Sequence, residues 1–262
     1  MTALTLAALG TVRETGAIDA VVASLPVSLA FGRSAVDLVA VDGSTGWTTE
    51  VLRAREAGAR GVLVVDPREE DVSAGHPLGF PVVLDRPFSG NPGVEDVRSA
   101  LADVEPRALL EARVVVPTGT ALRHALLEQL ALVRAAHAPL ESAALVISTP
   151  RGYTVRGRLR TGRAVLLTCT VSDAVPTSAT LRAVGADVIV DARIPSPETA
   201  RPLRATITTS NGQTMLPTRY ETAHRFSWRR LIALVRAEES STDLEDFAAD
   251  RAVIASLSPL LH

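Results

Sequence analysis

The sequence predicts an α/β protein with a Rossmann-like parallel-sheet domain first and an open-faced antiparallel-sheet domain second. Before residue 118, short continuous apolar runs alternate with helical segments, as in parallel sheets that are covered on both faces. Between Gly152 and Tyr220, three pairs of strand-like segments flank short turns, which is typical of antiparallel hairpins. We therefore expect a Rossmann-like domain at 1–118 and, at 119–262, a bridging helix, the antiparallel sheet and closing helices.

Three turns define the antiparallel sheet. Each turn contains glycine, and the last of them, Asn211-Gly212, is the strongest short hairpin signal. The flanking segments are rich in β-branched residues, which favour strands. The predicted pairs are Tyr153–Arg160 with Arg163–Ser172, Ser178–Val184 with Asp187–Arg193, and Leu203–Thr209 with Gln213–Leu216.

Periodicity and capping signals predict the other elements. In the first domain we expect strands at Ala20–Ser28, Val36–Val41, Gly61–Val65, Phe80–Leu84 and Ala108–Val116, and helices at Trp47–Ala57 and Pro92–Asp103. A helix over 120–137, whose leucines recur at helical spacing, would bridge the two domains. Two closing helices begin at His224 and at the capping box Thr242-Asp243-Leu244-Glu245.

Composition narrows the possible partners and the compartment. A net charge of −2 gives no general attraction to nucleic acid or to an anionic membrane. No apolar run is long enough to predict a membrane span. The single cysteine, Cys169, cannot form an internal disulfide, and the histidines lack metal-ligand spacing. We expect a cytoplasmic protein that binds neither nucleic acid, membrane nor metal.

The chain contains no lysine, and all 27 of its permanently basic side chains are arginine. Arginine keeps its proton at working pH. Schiff-base catalysis and a lysine general acid are therefore both excluded.

Three stretches carry a resemblance to a known family. Val36–Val41, with a helix ending at Gly58, looks like a fourth Rossmann strand and the helix after it, and Val82–Pro87 falls where relatives would carry a strand ending in Glu-Lys-Pro. Trp228–Val235, with Asp243–Ser256 after it, is similar to a closing pair of helices. In this order the chain resembles the glucose-fructose oxidoreductase and inositol dehydrogenase (Gfo/Idh/MocA) family. The resemblance implies NAD or NADP binding and hydride transfer.

The positions that carry function in that family are altered here. Members open with Gly-x-Gly-x-x-Gly, which lets the backbone approach a pyrophosphate, whereas Leu6–Val12 contains one glycine, Gly10. Arg86 replaces the lysine of Glu-Lys-Pro. His124 and Glu128 have the spacing of the family's Asp-x-x-x-His pair. Arg86, His124 and Glu128 are thus the candidate catalytic residues, although an exposed helical pair is the simpler interpretation of the last two.

A polar loop, Asp42-Gly43-Ser44-Thr45, follows a predicted strand and precedes a helix. Loops at the carboxyl ends of strands line the ligand crevices of such sheets. Together with Gly10, these four residues are the candidate cofactor-binding positions. The alternative is a plain turn in which Ser44 or Thr45 caps the helix.

The altered positions favour a pseudoenzyme: a non-catalytic or accessory subunit that has lost its cofactor and acts beside an active partner. The first alternative is an active NAD- or NADP-dependent oxidoreductase on a sugar, polyol or imine. The second is a cofactor-independent lyase or small-molecule binder that uses the cleft between the domains, with His124 as its base.

The antiparallel sheet also predicts an assembly. Both faces of the segment Ala164–Val171 are uncharged, and the closing helices cannot cover both. Exposed apolar patches of this kind usually mark an interface. We therefore expect a homodimer or heterodimer through the sheet at 152–217.

Overall fold

A computed structural model describes residues 3–8, 11–32, 36–72, 79–199 and 201–257. The chain forms two compact units, one of residues up to Arg86 with Ala223–Ala248, the other of Pro87–Thr222 with residues from Ala249 onward. The first contains a parallel five-stranded sheet and the second a mainly antiparallel eight-stranded sheet, which confirms the predicted fold class. The units divide at Arg86, whereas the sequence suggested a boundary near 118.

The sheet of the first unit has a strand order that reverses once. Its strands are β1 (Leu4–Ala8), β2 (Leu29–Phe31), β3 (Leu38–Asp42), β4 (Gly61–Val65) and β5 (Val82–Asp85), in the order β2-β1-β3-β4-β5. All neighbouring pairs are parallel. Because the order reverses between β1 and β3, the carboxyl ends of these strands flank the point where ligands bind in open α/β sheets.

Seven α-helices lie in the described residues. They are α1 (Val12–Thr15), α2 (Ile18–Ser24), α3 (Trp47–Glu56), α4 (Val94–Ala102), α5 (Leu122–Ala136), α6 (Ala223–Ala237) and α7 (Asp243–Leu257). Within that part of the chain, none is both long and apolar enough to cross a membrane. The predicted strand Ala20–Ser28 is wrong, because most of it lies in α2. Ile18, Val21 and Leu25 are buried at helical spacing in the core of the first unit.

Side chains from the C-terminal region complete the outer edge of β5. The backbone N–H of Val82 donates to Ser241 Oγ at 3.1 Å, and the N–H of Leu84 donates to Asp243 Oδ2 at 2.8 Å. Arg230 forms an ion pair with Asp243. Backbone groups that a sixth strand would have paired are therefore satisfied by side chains.

The second unit contains the predicted hairpins. Its strands are β6 (Leu109–Val116), β7 (Leu140–Thr149), β8 (Gly152–Leu159), β9 (Ala164–Val171), β10 (Ser178–Val184), β11 (Val188–Pro195), β12 (Arg204–Thr209) and β13 (Gly212–Met215), in the order β13-β12-β11-β10-β6-β9-β8-β7. All three predicted pairs are confirmed, as β8 with β9, β10 with β11 and β12 with β13.

One strand belongs to a different sheet from the one predicted. Ala108–Val116 was expected in the first sheet, but β6 lies between β10, to which it is antiparallel, and β9, to which it is parallel. Its residues are buried alternately rather than continuously. Alternating burial is typical of a strand in a sheet with one covered face. The apolar residues of this segment had instead suggested a strand of the parallel sheet, which is covered on both faces.

Helix α5 covers the inner face of this sheet and is fixed by a buried amide. Gln129 donates through Nε2 to the backbone oxygen of Ala112 on β6 at 2.6 Å and of Thr168 on β9 at 3.1 Å. Its Oε1 accepts a hydrogen bond of 2.8 Å from the hydroxyl of Tyr153 on β8. Burial raises the pKa of Tyr153 well above its usual value, so this hydroxyl keeps the proton that it donates.

Candidate active site

A buried carboxylate, Asp85, ends β5 and anchors the start of α6. Its Oδ2 lies 2.5 Å from Nδ1 of His224, and its Oδ1 accepts a hydrogen bond of 2.9 Å from Ser227 Oγ. His224 and Ser227 are three residues apart on α6, so both side chains project from the same face of the helix. The carboxylate has 0% side-chain exposure, which makes these partners necessary for its burial.

The Asp85 carboxylate orients the imidazole of His224. A hydrogen bond from Nδ1–H to Oδ2 makes Nε2 the nitrogen that takes up or releases a proton. The His224 side chain keeps 12% exposure, so the ring is not sealed from solvent. The hydroxyl of Ser227 donates to Asp85 Oδ1, so the carboxylate contacts two side chains of α6. A histidine that is held by a carboxylate in this way has the chemistry of a general acid or base.

Arg86, a predicted catalytic residue, follows this carboxylate directly. It is 5% exposed, and its guanidinium lies 5.2 Å from the centroid of the Phe247 ring. Phe247 in turn packs edge-to-face on Trp47. Cation–π packing stabilises a buried guanidinium. Because arginine keeps its charge, Arg86 cannot transfer a proton.

His124 and Glu128, the other two predicted catalytic residues, lie on α5 in the second unit. Glu128 is only 3% exposed, so the interpretation of the two as an exposed helical pair is wrong. The structure thus places His124 and Glu128 on one helix, and Arg86 in the other unit beside Asp85. Their catalytic roles remain predictions.

Two of the predicted cofactor-binding residues, Asp42 and Gly43, lie at the carboxyl end of β3. Thr11 Oγ1 donates to Asp42 Oδ2 at 2.5 Å, and the N–H of Ser44 donates to Oδ1 at 2.9 Å. The hydrogen bond from Thr11 is the main reason that the pKa of Asp42 lies below its usual value. An ionised carboxylate here can accept hydrogen bonds from sugar hydroxyls and disfavours phosphate. Gly10 lies outside the described residues.

The helix after this loop is not capped by Ser44 or Thr45, as the alternative interpretation assumed. Its N-cap is Gly46, in the left-handed conformation. Glu70 Oε2 accepts hydrogen bonds from the N–H groups of Gly46, at 3.2 Å, and Thr48, at 3.5 Å. Its Oε1 accepts one from the Thr48 hydroxyl at 3.1 Å. A carboxylate of the chain itself thus satisfies this positive helix end.

A feature missed at the sequence level lies at the end of β2. The guanidinium of Arg13, on α1, lies 4.6 Å from the ring centroid of Phe31 and pairs with Asp19. The segment Leu29–Val36 contains no acidic residue. In Rossmann sites, an acidic residue near the second strand binds the ribose 2′-hydroxyl of NAD, whereas an arginine accommodates the 2′-phosphate of NADP. The absence of an acid in this segment was the signal available in the sequence.

Comparison with known proteins gives matches in structure alone. No protein-family model and no curated protein matches the sequence. A variant of KijD10, a 3-ketoreductase from Actinomadura kijaniata in complex with TDP-benzene and NADP, matches with a TM-score of 0.69 and 16% identity over 99% of this chain and 98% of that one. GnnA, a UDP-N-acetylglucosamine 3-dehydrogenase from Acidithiobacillus ferrooxidans, matches with 0.71 and 14% over 100% of both chains. The dehydrogenase MviM from Clostridium difficile matches with 0.67 and 9% over 97% and 98%.

These matches overturn two expectations. The chain shares its whole fold with dehydrogenases and a ketoreductase, and the ketoreductase was crystallised with NADP. The expectation of a non-catalytic accessory subunit and the expectation of no cofactor are therefore wrong, and the alternative of an NAD(P)-dependent oxidoreductase is better supported. Both expectations depended on the missing glycines, the missing lysine and the changed pair at His124 and Glu128. None of these changes affects the reversal of strand order between β1 and β3 or the contact of Asp85 with His224 at the end of β5.

Proposed function

We propose that this protein is an NADP-dependent oxidoreductase of the Gfo/Idh/MocA type that acts on a sugar nucleotide. The observation that carries the proposal is the pair of Asp85 and His224 at the carboxyl end of β5. Interconversion of a ketone and an alcohol requires a group that exchanges a proton with the substrate oxygen. The chain has no lysine for this task, and Arg86 cannot perform it. His224 can.

The first unit fits a dinucleotide at two positions. At the crevice between β1 and β3, the ionised Asp42 would accept hydrogen bonds from ribose hydroxyls. At the end of β2, Arg13 beside Phe31 would favour the 2′-phosphate of NADP. The cofactor would supply or accept the hydride. The substrate class follows the structural neighbours KijD10, in complex with TDP-benzene, and GnnA, a UDP-N-acetylglucosamine 3-dehydrogenase.

Each residue around the acid–base pair has a distinct part. His224 would exchange the proton with the substrate oxygen through Nε2. Asp85 would hold the ring in position and stabilise the imidazolium. Ser227 binds the second oxygen of Asp85 and so fixes the carboxylate. Arg86, whose guanidinium packs on the ring of Phe247, would be a fixed positive charge beside the pair and would not exchange a proton.

The cofactor part of the proposal is tested by thermal unfolding of the full chain with NADP and, separately, with NAD. A ligand at one hundred times its dissociation constant raises the free energy of unfolding by about 2.7 kcal/mol. We expect a larger shift with NADP than with NAD. The absence of a shift with either nucleotide would refute the proposal.

The catalytic part is tested by the oxidation of NADPH in the presence of UDP- and TDP-linked keto sugars. We expect His224→Asn to lower kcat by about 100-fold or more while NADP still raises the unfolding temperature. His137→Asn is the matched control, because His137 lies at the end of α5 in the second unit. Equal kcat values for the two variants would show that His224 is not the acid–base residue.

A further inference from the structure

The outer face of the second sheet, opposite α5, carries a row of arginines without acids. In register, Arg113 of β6 faces Thr180 of β10, Thr180 faces Arg193 of β11, and Arg193 faces Arg204 of β12. Like charges directly opposite each other destabilise neighbouring strands. Within the described ranges, neither Arg193 nor Arg204 has an acidic partner. The pair therefore costs stability unless an anion neutralises it.

The next row on the same face is arranged differently. Glu111 of β6 faces Arg182 of β10, which in turn faces Asp191 of β11. Arg182 Nε lies 3.3 Å from Asp191 Oδ2. Charges in this row alternate in sign, as expected for a solvated surface. Of these two rows, only the one that contains Arg193 and Arg204 has positive charges that face each other without an acid between them.

A cavity is lined by Arg193 and Arg204 of this row. Its volume is about 390 Å³, within the range of roughly 300–1,000 Å³ that is common for small-molecule sites. Three prolines form part of its wall, and its polar lining consists of Arg193, Arg201, Arg204, Thr177, Ser178 and Thr199. Guanidinium groups bind phosphate oxygens through paired hydrogen bonds, and hydroxyls donate further ones. All lining residues belong to the second unit.

We propose that this cavity binds the diphosphate group of a small molecule such as a nucleoside diphosphate. Three guanidinium groups around one cavity favour a ligand with several negative charges on adjacent groups over a single carboxylate. The volume leaves room beyond a phosphate pair for part of a nucleoside. The residues of this site are separate from the Asp85–His224 pair, and the inference does not depend on the proposed reaction.

The test is isothermal titration calorimetry of the full chain with inorganic diphosphate and, separately, with UDP. We expect saturable binding of both, with UDP the tighter ligand. Arg193→Gln and Arg204→Gln should each weaken binding by about tenfold or more, because each removes a charged hydrogen-bond donor. Arg182→Gln is the matched control on the same face and should bind as the wild type does.

Three outcomes would overturn the inference: no saturable binding to the wild type, unchanged binding in Arg193→Gln, or equal loss in Arg182→Gln. Arg201→Gln provides a second variant outside the strands, and it should also weaken diphosphate binding. The wild type could bind no diphosphate while Arg193→Gln changes the sedimentation coefficient. In that case the arginine row forms an interface between two copies of the chain, and the inference is wrong. Stabilisation by NADP should be the same in all these variants, which separates this test from that of the proposed function.

Discussion

Nδ1 of His224 lies 2.5 Å from Oδ2 of Asp85, although the two residues are 139 positions apart in the chain. The contact joins the first turn of α6 to the carboxyl end of β5. Because the carboxylate is fully buried, its partners contribute to stability. The same contact fixes the ring that we propose transfers a proton. Stability and catalysis should therefore respond differently to substitution of Asp85 and of its neutral partner Ser227.

Asp85→Asn should affect both properties. The substitution keeps the shape of the side chain but removes its charge, and we expect the free energy of unfolding to fall by about 2 kcal/mol. The kcat should fall at least about tenfold, because the amide no longer stabilises the imidazolium. Ser227→Ala removes only one neutral donor and should cost about 1 kcal/mol with little change in kcat. Urea denaturation and steady-state kinetics measure these effects, and equal losses of kcat would contradict the assignment.

Asp37 should make stability depend on acid pH. Its Oδ2 accepts 2.9 Å hydrogen bonds from the N–H and the hydroxyl of Thr5 on β1, and the backbone bond is the main cause of its lowered pKa. Because folding lowers this pKa, the stabilisation is complete above the unfolded value near 3.8 and is lost as the pH falls through the folded value. We expect the free energy of unfolding of Asp37→Asn to be about 1 kcal/mol lower than that of the wild type at neutral pH. The difference should disappear as the pH falls through the lowered pKa of Asp37. A difference that stays constant across urea titrations at several pH values would argue against this role.

Two glycines in one loop should differ in their tolerance of alanine. A Cβ on Gly43 would lie 2.6 Å from the carbonyl carbon of Asp66, so the backbone after β4 would have to shift. A Cβ on Gly46 would meet no atom within 4 Å, and only its left-handed φ of 93° opposes substitution. We expect Gly43→Ala to cost about 3 kcal/mol and Gly46→Ala about 1 kcal/mol in thermal unfolding. The reverse ranking would show that the contact at Gly43 is readily relieved.

The dimer through the antiparallel sheet remains a prediction, and the structure identifies the residue that tests it. Leu166 lies on the outer face and is partly exposed, whereas Leu167 is fully buried on the inner face. If the outer face forms the interface, Leu166→Arg should shift the sedimentation profile toward monomer while the protein stays folded. Leu167→Arg should instead unfold the protein, because it buries an unpaired charge. A wild type that sediments as a monomer would exclude the dimer.

Local signals explain which elements the sequence could predict. The hairpins were predictable because Thr161-Gly162 and Asn211-Gly212 determine their turns within a few residues. The segment 20–28 was predicted as a strand and is mostly helix, and the segment 108–116 was predicted in the wrong sheet. A short apolar run is equally compatible with a helix, a strand buried on both faces and a strand buried on one face. Only burial in the folded chain distinguishes these cases.

The candidate site was less predictable, because its contacts are not local. Asp85 meets His224 across 139 positions, and Glu70 caps a helix that begins more than 20 residues earlier. No spacing rule connects such pairs in a single sequence. Asp42 could be singled out because it ends a recognisable strand, and Arg86 because it directly follows one. The departures from the family's motifs around these residues were interpreted as a loss of function. We propose instead that His224 exchanges the proton that Arg86 cannot.

The outer edge of β5 stays unpaired during translation until the C-terminal region has been synthesised. Val82 and Leu84 receive their partners from Ser241 and Asp243, 159 residues later in the chain. During synthesis the parallel sheet therefore leaves the ribosome with an unprotected edge, and all of 87–222 is translated before that edge is covered. An uncovered edge strand can pair with another nascent chain. Chains that are truncated before Ser241 should therefore aggregate, even though they contain every strand of both sheets.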